Sequence, residues 1–267
     1  MKNIVISLKT ATARREHIQK EFGKQNIGFE FFDALTPDLA KSLAAKMSLN
    51  VHEDFITAGE LACFMSHVSI WQKMLDEQIP HLAVFEDDVY LGENIQSFFN
   101  NFAWIPNDVH IIKLEAFDKK ADLSFFLKLS KNGRSLYHLK GMHLGGAGYI
   151  LSKAAAEHYL ELIANMPELV PVDHILFGRN VKKGKYKAYQ MTPAICAQDF
   201  YLNHKYHNFG SHLEEDRAVR HQAEKLARLQ QKQQMTVFFK IKKEILRLFL
   251  QILKLKDLSA YRTVKFK

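Results

Sequence analysis

His81-Leu82-Ala83-Val84-Phe85-Glu86-Asp87-Asp88 sets an apolar run directly against three consecutive acids. Pro80 breaks the chain just before it, so the run reads as a short buried strand that ends in carboxylates. Adjacent buried carboxylates repel and raise one another's pKa, and a divalent cation relieves that crowding. Mg2+ and Mn2+ prefer oxygen ligands and fill their remaining positions with water and phosphate oxygens. Taken alone, the triplet also suits a solvated acidic turn, so its neighbours decide the reading.

Upstream, Thr57-Ala58-Gly59-Glu60 has the spacing of a capping box, and Leu61, Phe64, Met65, Val68, Trp71 and Leu75 follow with helical period. The spacing predicts a helix running to about Glu77. Nearer the N-terminus, residues 3–8 (NIVISL) read as a buried strand, Arg14 to Phe22 as a helix and Phe29 to Phe32 as a second strand. Downstream, Val109 to Leu114 forms a strand ending at Glu115, so two strands each deliver a carboxylate at their carboxyl end. Gly141 to Tyr149 is glycine-dense, Lys153 to Asn165 reads as a helix, Val172 to Phe177 as a short helix and Gln190 to Ala197 as extended chain. Strands alternating with helices indicate an α/β sheet, whose ligands bind beyond the carboxyl ends of its strands.

The chain has 267 residues, 47% hydrophobic and 25% charged, which suits a folded protein with its own core and excludes a disordered or collagen-like one. Cys63 and Cys196 lie far apart with no CxxC pattern, arguing against a zinc knuckle or a disulfide framework and for a reducing compartment. The opening residues do not resemble a signal peptide, and no stretch of eighteen apolar residues occurs, so a cytoplasmic location is expected. The net charge of +8 is a property of the tail: residues 217–267 hold 14 Lys and Arg against 3 Asp and Glu, leaving 23 against 26 in the rest. A slightly acidic body argues against nucleic-acid binding.

The expected organisation is therefore a domain over 1–213 and a basic helical extension over 214–267. Within it Lys240, Lys243, Arg247 and Lys254 lie opposite Ile241, Ile245, Leu248 and Ile252, a basic amphipathic helix. Such a helix suits peripheral contact with an anionic membrane surface, or packing on protein.

Phe85-Glu86-Asp87-Asp88-Val89 and Gly59-Glu60-Leu61-Ala62-Cys63-Phe64-Met65-Ser66-His67 resemble glycosyltransferase family 25, the lipooligosaccharide glycosyltransferases of Gram-negative bacteria. Val5-Ile6-Ser7-Leu8 with Arg14-Arg15, Phe31-Phe32-Asp33-Ala34, Gly146 to Ser152, Pro171-Val172-Asp173 and Pro193 to Gln198 match in the same order, over roughly residues 3 to 200. The resemblance implies a GT-A type fold: a Rossmann-like α/β sandwich with a mostly parallel central sheet. It also implies an acidic D-x-D-type motif holding Mn2+ or Mg2+ on the diphosphate of a UDP-hexose. Asp88 is then a metal ligand, Glu86 a second, with Glu86 or Asp87 alternatively touching ribose or a metal-bound water. Glu86 departs from the usual first Asp by one methylene.

Bacterial members of the family look inverting, which requires a base for the acceptor hydroxyl. Asp173, in the matching block, and Glu115 are the candidates; Asp173 also suits a helix N-cap. Arg14 and Arg15 could reach a diphosphate, and Ser7 and Leu8 stand where a nucleotide would approach the first loop. Gly146 would let a sugar or pyrophosphate come close to the backbone. His143, more often a structural residue in such a place, is a further metal-ligand candidate. Ser66 and His67 point about 100° apart on a helix and so cannot act as nucleophile and base; they are placed near the sugar nucleotide instead.

The implied reaction is transfer of a hexose, galactose from UDP-galactose or glucose from UDP-glucose, to a lipooligosaccharide acceptor, working from the cytoplasmic face of the inner membrane. Metal-dependent phosphohydrolysis is the more distant alternative.

Overall fold

Lys2–Ser7, β1, is buried on both sides because successive residues enter two different cores: Ile4 and Ile6 one, Val5 the other. The computed structural model describes residues 2–178, 181–202 and 258–267. After β1 come α1 (Thr12–Lys24), β2 (Glu30–Asp33), α2 (Pro37–Lys46), α3 (Ala58–Asp76), β3 (His81–Glu86), β4 (Val89–Leu91) and α4 (Gln96–Phe99). Then follow β5 (Ile111–Lys113), β6 (Lys120–Lys131), β7 (Arg134–Leu139), β8 (Gly148–Ser152), α5 (Lys153–Ala164) and α6 (Val172–Phe177). The described chain closes with β9 (Ala188–Thr192), β10 (Cys196–Gln198), α7 (Asp199–Leu202) and β11 (Ser259–Thr263).

Nine described strands form one sheet in the order β11-β6-β7-β9-β5-β8-β3-β1-β2, and β10 pairs with β4 in a small second sheet. In the large sheet β1, β2, β3, β5, β6 and β9 run one way and β7, β8 and β11 the other. Most strands thus share the expected direction. Parallel neighbours nevertheless occur only at β2-β1-β3 and β5-β9, since β8 wedges antiparallel between β3 and β5. The sheet is mixed.

Both faces are covered. Phe64, Val68 and Trp71 of α3 and Ala155 and Tyr159 of α5 pack with Leu82, Val84 and Leu151 on one face. Ile18 and Phe22 of α1 meet Phe85, Phe98 and Phe99 on the other. The alternation Leu82/Val84 against Ala83/Phe85 along β3 joins the two cores through the sheet. α3 begins as expected: Thr57 accepts from the Glu60 N–H and the Glu60 side chain accepts from Thr57 N–H at 3.0 Å.

The basic amphipathic helix expected at 240–254 lies outside the described residues. The extension is not helical to its end, however. Ser259–Thr263 adds to the sheet edge beside β6, Val264 is fully buried, and Arg134 holds the Pro193 and Ala194 carbonyls at 2.9 Å as well as that of Lys267. These last residues belong to the body, because an edge strand there satisfies backbone groups of β6.

Candidate active site

The strand directions gather the ends of β1, β2, β3 and β5 on one edge, where β8 begins. Register places Ser7 beside Asp33, Ile6 beside Glu86 and Phe85 beside Gly148. Gly148 admits no side chain: a Cβ there would lie 2.2 Å from Cys196 Sγ. The same holds at Gly145, where φ is +91° and a Cβ would lie 2.6 Å from Glu115 Oε2. These glycines let the 145–148 segment run against the strand ends.

Glu86 closes β3, and Asp87-Asp88 turn the chain into β4. Gln198 of β10 reaches back across the small sheet, its Nε2 donating to Glu86 Oε2 at 3.2 Å and to both Asp88 oxygens at 3.3 and 3.2 Å. One amide therefore bridges two carboxylates. Burial, together with the charge of Glu86, pushes the half-buried Asp88 carboxyl up to about 7. Arg14 donates to Asp87 Oδ1 at 2.7 Å. The donor set of Glu86 and Asp88, oxygen-only and electrostatically crowded, fits a hard divalent cation.

Glu86 also faces α3. Its Oε1 lies 3.8 Å from His67 Nε2 and 3.9 Å from Cys63 Sγ. His67 is fully buried, with Nδ1 2.8 Å from Tyr149 Oη, which in turn accepts the Trp71 indole N–H at 2.9 Å.

The second carboxylate has a different environment. Glu115 Oε2 accepts from Lys113 Nζ and from the Ala147 N–H, both at 3.1 Å. Lys113 also donates to the Gly145 carbonyl and lies 4.6 Å from the Phe177 ring centre. Burial raises the Glu115 pKa against the opposing effect of Lys113. Asp173 accepts from the Gly145 N–H at 3.1 Å and is half-buried. The cap position of α6 belongs to Pro171, so Asp173 sits within the first turn and is not an N-cap.

Several expected site residues are otherwise engaged. Ser66 Oγ donates to the Ala62 carbonyl at 2.7 Å and accepts from the Leu35 N–H at 2.9 Å, tying α3 to the loop after β2. Arg15 holds the Ser7 and Leu8 carbonyls at 3.0 and 3.2 Å and pairs with Asp33, so it shapes the first loop from its side. Ser7 is buried, with Oγ donating to the Leu8 carbonyl at 3.3 Å, whereas Leu8 is exposed. At Gly146 a Cβ would meet Asp173 and Val172 only at an ordinary 3.7 Å, so that glycine is not sterically required. His143, the further metal-ligand candidate, is buried with Nε2 3.3 Å from the Asp118 main chain and Nδ1 without a hydrogen-bond partner among the described residues, and burial with nearby Lys113 lowers its pKa to about 4. The converging group among the described residues is Cys63, His67 and Glu86.

Gln198, Lys113 and Cys63 carry weight that their sequence positions did not convey. Lys113 had a signal, since residues i and i+2 of a strand share a face and bring Lys113 to Glu115. Gln198 had none beyond its place in a matching block, because its reach depends on the β4-β10 pairing.

Fold and site together describe an α/β protein whose sheet carries an acidic tip and a glycine-lined wall at its carboxyl edge, the edge at which such sheets bind ligands. Residues 1–176 match the family model described as glycosyltransferase family 25 (LPS biosynthesis protein). The chain is 34% identical to the lipooligosaccharide biosynthesis protein lex-1 of Haemophilus influenzae, covering 92% of this chain and 91% of that one. It is 38% identical to the lacto-N-neotetraose biosynthesis glycosyltransferase LgtB of Neisseria meningitidis, covering 82% and 83%. With the lipooligosaccharide biosynthesis protein lic2B of H. influenzae it shares 38% identity over 80% and 82%. The chain belongs to glycosyltransferase family 25 and is a glycosyltransferase. Among the described residues no helix is long and apolar enough to cross a membrane.

Proposed function

We propose that this glycosyltransferase moves a hexose, galactose from UDP-galactose, onto a sugar of a lipooligosaccharide acceptor, with inversion and with a divalent cation on the donor diphosphate. The observation that carries the reading is the pair of carboxylates, Glu86 and Asp88, drawn together by Gln198 at the carboxyl edge. Glu86 and Asp88 would hold the cation, which when bound neutralises the diphosphate leaving group. Gln198 fixes the spacing of the two acids, and Arg14 keeps Asp87 turned toward α1. The names of lex-1, lic2B and LgtB support the lipooligosaccharide acceptor. In this reading the enzyme works from the cytoplasm at the inner membrane, where its basic 217–267 stretch suits anionic lipid.

A base must take the acceptor hydroxyl's proton, and Asp173 suits this better than Glu115. Asp173 is half-buried and hydrogen-bonded to one backbone amide, while Glu115 is fully buried against Lys113. The test is turnover of a panel of UDP-sugars with Mn2+ and a lactosyl or glucosyl acceptor, with the product's anomeric configuration read by NMR. Galactose transfer with inversion is expected; preference for UDP-glucose would reassign the donor, and no turnover with any nucleotide sugar would overturn the reading. Asp173→Asn should lower kcat by roughly 10²- to 10⁴-fold with little change in donor KM, the range for losing a general base.

A further inference from the structure

We propose that Cys63, His67 and Glu86 form a binding site for a thiophilic divalent cation of the Zn2+ class, distinct in chemistry from the oxygen-only pair above and competing with it for Glu86. The competition rests on the proposed function; the binding does not.

Cys63 and His67 lie four residues apart on α3 and so share one helix face, while β3 ends by presenting Glu86 to that face. Their ligand atoms all lie within 4.8 Å of one another. Glu86 Oε1 stands 3.8 Å from His67 Nε2 and 3.9 Å from Cys63 Sγ. Tetrahedral Zn2+, with bonds of about 2.3 Å to sulfur and about 2.0 to 2.2 Å to nitrogen and oxygen, places its ligand atoms roughly 3.3 to 3.6 Å apart. The two distances to Glu86 close by a few tenths of an ångström, and the Cys63 to His67 separation, within 4.8 Å, closes by roughly 1 Å at most.

The independent sign of a missing ligand is His67 Nε2, fully buried and without a hydrogen-bond partner among the described residues. Buried ring nitrogens are costly to leave so, and this one is aimed at the cluster. The far nitrogen is already held as in built metal sites: Nδ1 lies 2.8 Å from Tyr149 Oη. Metal binding at Nε2 selects the tautomer in which Nδ1–H donates to the Tyr149 oxygen, which also accepts the Trp71 N–H at 2.9 Å. In that tautomer Nε2 turns its lone pair toward the site. Cys63 and Glu86 are half-buried, leaving the fourth position open to the cleft. Binding forms a metal–sulfur bond and releases the thiol proton to solvent. A thiolate selects Zn2+ or Co2+ over Mg2+, which keeps the two cation chemistries apart.

The test uses the full chain freed of metal and titrated with Co2+. The expected result is a thiolate-to-cobalt charge-transfer band in the near ultraviolet that saturates near one equivalent, is erased by Zn2+, and is missing from Cys63→Ser. Zn2+ should then inhibit UDP-hexose turnover at concentrations at least tenfold lower in the wild type than in Cys63→Ser, each measured against its own uninhibited rate. In the wild type Zn2+, but not Mg2+, should slow alkylation of Cys63 by iodoacetamide at least tenfold, read by peptide mass; this arm holds even if the variant does not fold. No band, a band undiminished in Cys63→Ser, or alkylation indifferent to Zn2+ overturns the site. A wild type that turns over no nucleotide sugar refutes the proposed function, while the spectrum and alkylation still decide the cation site.

Discussion

Two strands end at the same edge of the sheet with a carboxylate each, and the protein treats them in opposite ways. After β5, Glu115 is supplied with an internal ammonium, Lys113 at 3.1 Å, and sealed behind Gly145 and Ala147. After β3, Glu86 and Asp88 share one neutral amide, and the guanidinium of Arg14 goes to Asp87 between them. Burial raises both Asp88 and Glu115. Shifted acidity alone therefore does not mark the reactive pair; what differs is whether the compensating cation is built into the chain. Glu115 has a lysine in direct contact, whereas Asp88 feels Arg14 only at a distance and is crowded by Glu86, an arrangement suited to a cation from outside.

The largest effect that would sharpen this contrast is at the tip. Asp88→Asn should lower transferase kcat by about 10³-fold, the range for removing a preorganised electrostatic contact, without lowering Tm, because it relieves crowding with Glu86. A parallel fall in Tm would break the comparison by making Asp88 structural. Next, Lys113→Met should destabilise the fold by about 3 to 5 kcal/mol in denaturant titration, because it leaves a buried carboxylate uncompensated. Lys113→Met combined with Glu115→Gln should recover most of that loss; if it does not, Lys113 acts through Gly145 and Phe177 instead.

His143, on the Lys113 side, gives a pH test. Its folded pKa is lowered to about 4 against an unfolded value near 6.5. The unfolded chain binds the extra proton between those values, so stability is fully present above about 6.5 and declines as pH falls toward 4. Wild type should lose about 3 kcal/mol more than His143→Gln across that window, measured as unfolding free energy, because His138, also lowered to about 4, titrates there in both proteins. The smallest effect concerns the strand between the two regions. Gly148→Ala should cost about 1 to 3 kcal/mol through its clash with Cys196, and Cys196→Ala in the same chain should return most of it.

Much of the edge was legible. The apolar run 81–85 ended in acids as read, Thr57 and Glu60 formed their capping box, and Val109 to Leu114 delivered Glu115. These signals are local: a breaker, a spacing of three, a run of β-branched residues. The hairpin β6-β7 was equally local, since Asn132 and Gly133 both have positive φ, at 49° and 75°, and join Lys131 to Arg134. Its Asn-Gly signal went unread. What His143 touches was not legible for a different reason, because a histidine before glycines looks the same whether it faces a cleft or is bonded to the Asp118 backbone.

By itself, then, the sequence determined the strands that end at the acidic edge, the capped helix, the acidic tip and the family, because each is written in contiguous residues or in ordered blocks. The tertiary structure alone decided which acid received Lys113, which two acids Gln198 drew together, and that Cys63 and His67 face Glu86 across 23 and 19 positions of chain. Those choices depend on strand order and on the β4-β10 pairing, in which contacts between residues far apart in sequence are fixed by how the sheet closes, and no local pattern encodes them.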